Sequence, residues 1–176
     1  MQKPFYRWCH GIVRAGLVII LALMTQSALA RPHPHRGPVD TSQGRPQPTL
    51  RLEPLVIETQ GRQIRLMVEI ADTENTREIG LMWRRVVPAN GGMLFDFNPP
   101  RPVAFWMHNT VTSLDMIFIG QDGRIVSIAR NARPLDDTPI PSGGVVRGVL
   151  EVAAGRAASM GVLPGDRVRH RIFTRG

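Results

Sequence analysis

Beyond its first thirty residues this chain of 176 has neither cysteine nor lysine, and no apolar run in it is long enough to cross a membrane as a helix. Cys9 is the single cysteine. With no other, disulfides, thiolate metal sites and a cysteine nucleophile are excluded past residue 30. The fold must then stand on its hydrophobic core. Several catalytic signatures are missing as well: there is no Gly-x-Ser-x-Gly elbow, no His-Glu-x-x-His and no phosphate-cradling glycine loop. No internal repeat is present.

What is there begins with an export pattern. Lys3, Arg7 and Arg14 form a positive opening without acidic residues, Leu17 to Met24 is a short apolar run, and Ala28-Leu29-Ala30 is a small-residue cleavage pattern. A spanning helix needs about 20 apolar residues, and Arg14 cuts this run short. Cys9 precedes the run, so it is not the cysteine that would carry a lipid, and no twin-arginine pair is present there. The expectation is a signal peptide at residues 1–30 and a periplasmic or secreted chain beginning near Arg31, with no transmembrane span. Loss of the three cations takes the net charge from +8 to +5. The remaining arginines are scattered, and few aromatics interleave with them, which argues against a nucleic-acid partner. Cleavage would leave His33 third, as in amino-terminal Cu(II) sites, but Pro32 has no N–H to lose.

Residues 31–49 alternate prolines with polar side chains and read as a disordered linker. Residues 50–176 read as one globular domain. Residues 62–70 alternate Ile64, Leu66, Val68 and Ile70 with Gln63, Arg65, Met67 and Glu69, a strand pattern. Thr59-Gln60-Gly61 joins it to a strand at 50–58 as a hairpin. Asp72 or Thr73 can cap a helix in which Ile79, Met82 and Trp83 share a face, ended by Pro88-Ala89-Asn90-Gly91-Gly92. Short strands follow at 93–97, stopped by Pro99 and Pro100, and at 103–108. Another at 116–119 is apolar on both faces, and Asp122-Gly123 turns the chain into 124–129. Residues 134–144 read as a long loop, 146–152 as extended and 153–160 as a short helix. Residues 167–173 suit an arginine-bearing edge strand. The sum is an α+β class: a single compact, mainly antiparallel β domain, barrel-like or two packed sheets, with one or two short helices.

Several blocks in this order carry a family pattern: Arg77-x-x-Gly80-Leu81-Met82-x-Arg84, Gly92-Met93-Leu94-Phe95, Phe105-Trp106-Met107-x-Asn109-Thr110, Leu114-Asp115 and Val149-Leu150-Glu151. Together they resemble the family called domain of unknown function 192, from about Leu50 to Phe173. The family often has lysine where this chain has His108. The resemblance implies a small β-rich domain, often exported in bacteria, and it implies no reaction.

The chemistry concentrates between Phe105 and Asp115. Trp106 offers a stacking surface, and His108, Asn109 and Asp115 offer hydrogen-bonding groups, the mixture from which pockets are built. The competing account buries Trp106 and uses Asn109, Thr110 and Ser113 to satisfy turns. Strand alternation puts Trp106, His108 and Thr110 on one face and Phe105, Met107 and Asn109 on the other. Trp106 and His108 are thus the better contact candidates, with Asn109 and Asp115 as supports. Arg77 and Arg84 lie seven apart and could face an anion together, or Arg77 could clamp Asp115 or Glu151.

Met82, Met93, Met107 and Met116, near His108, invite a copper reading, although methionine among apolar neighbours ordinarily fills a core. His108 with Asp115 could serve as acid and base in a hydrolase-type enzyme. Asp96, Asp115 and Glu151 could supply paired carboxylates. The reading adopted is a non-catalytic exported domain. It binds a small polar ligand such as a carbohydrate, or a cell-envelope partner, through Trp106, His108, Asn109, Asp115 and Arg77. It needs no metal or cofactor.

Overall fold

The alternating residues form a hairpin of β1 (Leu52–Thr59) and β2 (Arg62–Ala71), paired antiparallel from Leu52 opposite Glu69 to Thr59 opposite Arg62. Gln60 and Gly61 both take positive φ, 46° and 72°, the turn that matches strand twist in a two-residue hairpin. The computed structural model describes residues 44–173, all within the unit Arg36–Gly176. The expected signal peptide and residues 31–43 of the expected linker lie outside the described residues.

Thr73 caps α1 (Glu74–Ile79) through a reciprocal pair of bonds: its hydroxyl accepts from Thr76 N at 3.1 Å, and its own N–H donates to Thr76 Oγ1 at 3.1 Å. The helix stops at Ile79, well short of the expected Trp83. Gly80 takes φ 50°, and a Cβ there would meet the Phe95 ring at 3.0 Å. Gln47, buried in the segment read as linker, donates to the Gly80 carbonyl at 2.8 Å and satisfies the helix end.

Next come β3 (Gly91–Arg101), β4 (Ala104–Phe105), β5 (Leu114–Ile119), β6 (Ile125–Ala132), β7 (Ile140–Pro141), β8 (Val146–Ala153), α2 (Arg156–Ser159) and β9 (Arg167–Arg169). Seven strands form one sheet in the order β6-β5-β8-β3-β2-β1-β9, and β4 pairs with β7 separately. All pairs are antiparallel except β2 with β3. A parallel pair needs a crossover, and residues 72–90 provide it.

The sheet is therefore mixed. It does not close as a barrel, although an isolated bridge from Arg124 to Arg167 links its two ends. β3 runs on through Pro99 and Pro100, because its register with β8 shifts between Asp96 and Arg101 and prolines are tolerated where the ladder is interrupted. The expected strand at 103–108 shrinks to Ala104–Phe105, and the expected loop at 134–144 contains its partner β7.

Strands β3, β5 and β8 are buried on both faces. One face packs Leu55, Val68, Leu94, Ile117 and Leu150 beneath Ala157 of α2. The other packs Met93, Phe95, Phe97, Met116, Phe118 and Val149 beneath Leu81, Val87 and Met107. Gly92 belongs to this architecture, since a Cβ on it would collide with the Glu151 carbonyl of the adjoining strand. Gly92→Ala should cost about 3 kcal/mol, the upper range for overpacking, read from the midpoint of urea unfolding.

Candidate ligand cleft

The second cover leaves a gap between α1 with its following turn and residues 101–110. It is a cleft of about 570 Å³. Small-molecule sites span about 300–1,000 Å³, so the size is that of a ligand. Phe95, Phe97 and Phe105 line it, Glu74, Arg77, Glu78, Arg101, Trp106 and His108 line it too, and Glu151 reaches it from β8.

Phe105 holds the aromatic lining together. Its ring stands edge-on to Phe95 at 5.0 Å and to Phe97 and Phe118 at 6.1 Å, an arrangement favoured by the ring quadrupoles. The expected alternation persists through the next residues even where the strand does not. Met107 is fully buried, whereas Trp106 is 52 % exposed and His108 is exposed. Their rings lie 5.3 Å apart, tilted by 37°. Asp137 approaches His108 Nδ1 at 2.9 Å. A carboxylate only accepts, so Nδ1 carries a proton and donates it to Asp137, which leaves Nε2 as the ring nitrogen not bound to Asp137.

The chain then turns. Thr110 N donates to Met107 O at 3.0 Å, and Asn109 takes φ 54°. The carbonyl of Asn109 receives Trp83 N at 2.8 Å, and Met107 N donates to Asp136 O at 2.8 Å. These bonds fix the segment that presents Trp106 and His108.

Asp115 is in another role. It is wholly buried on β5, its Oδ1 accepting Asn131 N at 2.8 Å and its Oδ2 accepting Ala157 N at 2.9 Å. The first donor is freed by a register shift opposite Asp115, and the second belongs to the start of α2, whose own N-cap Gly155 has no side chain to offer. One carboxylate thus joins a bulge to a helix start. Neither Asp115 nor Asn109 lines the cleft.

Arg77 does line it, yet it clamps neither Asp115 nor Glu151. Its Nη1 donates to the carbonyls of Asp72 and Asp96, both at 2.9 Å, and its guanidinium lies 5.6 Å from the Phe97 centroid. Arg84 points elsewhere and pairs with Glu69 at 3.0 Å. The two arginines do not share an anion. Arg101 lies 5.0 Å from the same Phe97 ring. The four methionines, Met82, Met93, Met107 and Met116, are all buried. Among the described residues no group of three or more histidine, cysteine or acidic side chains could hold a metal.

Glu151 is what the sequence reading undervalued. It is 4 % exposed and paired through its backbone with Met93 on one side and Met116 on the other, both fully buried. Burial raises its carboxyl from 4.5 to about 8. A visible signal existed: this is the lone charge in Val149-Leu150-Glu151-Val152, inside a strand apolar on both faces.

These features define a class first: a mixed-sheet α+β domain with a ligand-sized concavity, aromatic inside and carrying both arginines and glutamates along its lining. The chain belongs to the family DUF192, described as Uncharacterized ACR, which matches residues 55–170. A Sinorhizobium meliloti 1021 protein of known crystal structure, described as a candidate transcription regulator, is similar at 42 % identity and a TM-score of 0.70. The similarity covers 72 % of this chain and 99 % of that one. A Novosphingobium aromaticivorans DSM 12444 protein of unknown function is similar at 39 % identity and a TM-score of 0.68, covering 72 % of this chain and 91 % of that one. No curated protein matches.

Two outcomes follow from the geometry. Asp115→Ala should cost about 2–4 kcal/mol by leaving one buried and one part-buried donor unmet, whereas His108→Ala should stay within about 0.5 kcal/mol, as at exposed sites; urea unfolding separates them. For Glu151, the folded protein keeps the proton to higher pH than the unfolded chain. That contribution to stability is full below pH 4.5 and is lost as pH rises through about 8. Unfolding midpoints across this window should fall for the native chain and fall less for Glu151→Gln.

Proposed function

We propose that this is an exported domain that binds a small polar ligand in the cleft, with a carbohydrate as the class to test first. The observation that carries the reading is Trp106. A large indole left 52 % exposed, beside His108 and lining a cleft with aromatic walls, supports a stacking role. A sugar presents an apolar ring face to such a surface and hydroxyls to the polar groups around it. Glu151 at the cleft and Nε2 of His108 are the groups that would meet them. Export rests on residues 1–30, whose charge and apolar pattern suit a periplasmic or secreted destination.

The acid–base alternative has less support, because both oxygens of Asp115 already accept backbone N–H groups away from the cleft. The copper alternative rests on methionines buried among apolar neighbours. A regulator's role gains nothing from the described helices, which are six and four residues long.

Thermal shift and tryptophan fluorescence against a panel of mono- and oligosaccharides test the proposal. At least one sugar should raise the melting temperature and perturb the indole signal. Trp106→Ala should abolish that binding while costing under about 1 kcal/mol of stability, as expected for an exposed side chain. A panel without any stabilising member would count decisively against a carbohydrate.

A further inference from the structure

The cleft has one feature that stacking does not explain. The side chain of Glu151 makes no hydrogen bond or ion pair with another described residue, although the residue is 4 % exposed. Its backbone is paired to β3 and β5 on both sides, so its side chain is the part that reaches the cleft. An ionised carboxylate held this way, unpaired between Met93 and Met116, is costly. An undissociated one presents an O–H donor and acceptor lone pairs. Either way the group lacks a side-chain partner among the described residues.

At the mouth, the arginines complement it. Arg77 and Arg101 both lie over Phe97, and neither has a carboxylate partner among the described residues. Arg51, Arg84, Arg133, Arg147, Arg169 and Arg171 each do. Nη1 of Arg77 is occupied by two carbonyls, which leaves the exposed Arg101 as the freer fork.

We propose that the cleft takes a small hydroxylated acid, of which a uronic acid is the simplest example, with its carboxylate on Arg101, its ring on Trp106 and a hydroxyl on Glu151. The inference rests on the ligand reading above and narrows it. A cationic ligand would meet Arg77 and Arg101. A polyanion would meet Glu74 and Glu78, which α1 presents to the same cleft. A single negative charge with hydroxyls fits both. The charged or titratable groups facing Glu151 across the cleft are Glu74, Arg77 and Glu78 from α1, Arg101 from β3 and His108.

Calorimetric titration of the full chain with D-glucuronate and D-galacturonate, against the methyl glycosides of D-glucose and D-galactose, provides the test. The uronates should bind about tenfold tighter than the neutral sugars, the scale of one charge-assisted contact. Arg101→Gln should erase that preference and leave neutral-sugar binding in place. Glu151→Gln, which keeps a donor and an acceptor, should bind at neutral pH, whereas Glu151→Leu should not. As pH passes about 8, where the buried carboxyl loses its proton, binding should weaken in the native chain. It should change less in Glu151→Gln, which retains every other titrating group.

Equal affinity for neutral and acidic sugars, or indifference to Arg101→Gln, would overturn the acid class and leave the ligand cleft standing. Absence of binding by both kinds of sugar would remove the carbohydrate reading itself. Arg101 is exposed, so its variant keeps the test valid should a Glu151 variant fail to fold.

Discussion

Strands β3, β5 and β8 are apolar on both faces, and a sheet of that kind must be covered twice. Most of the domain's anatomy is a response to this requirement. On one face the outer strands and α2 bury Leu94, Ile117 and Leu150. On the other, the crossover from β2 to β3 and the segment that includes β4 bury Met93, Phe95 and Met116. The second cover is assembled from short, irregular pieces rather than a long helix. Where its two parts fail to meet, the cleft opens, and the aromatic side chains that would otherwise be core become its lining.

The polar residues of the motif blocks divide along the same line. Asp115, Thr110 and Arg84 serve the backbone or a fixed ion pair, because irregular covering segments leave N–H and carbonyl groups that need partners. Trp106, His108 and Glu151 face the gap, joined there by Arg101 from outside the blocks. Arg77 does both: one nitrogen ties β3 to the start of α1, and its guanidinium rests on the rim aromatic. The cleft is thus held by neighbours that do not line it, the arrangement that a preorganised site requires.

Much of the fold was legible because local chemistry dictates it. The Gln60-Gly61 turn, the Thr73 cap and the two-sided burial of β5 each depend on a few adjacent residues. The helix end was not legible. Ile79, Met82 and Trp83 keep helical spacing, but the helix ends where Gly80 takes φ 50°, in a space against the Phe95 ring that a Cβ would not fit. Pro99 and Pro100 read as a stop, yet the strand continues past them where its ladder to β8 is interrupted. The parallel pairing of β2 with β3 left no local mark either, since strand order is decided by contacts distant in the chain.

For the site, sequence alone determined that Trp106 and His108 share a side and that Asn109 and Asp115 are supports, because alternation and turn chemistry are short-range properties. It also set Glu151 among the apolar Val149, Leu150 and Val152. That Glu151 faces the same cleft as Arg77, Arg101 and Trp106 was decided only by tertiary structure. Those residues sit on α1, β3, β8 and a loop, and the two-sided burial of the sheet brings them together. The same burial withholds water and partners from the Glu151 carboxyl, which no count of residue types could reveal.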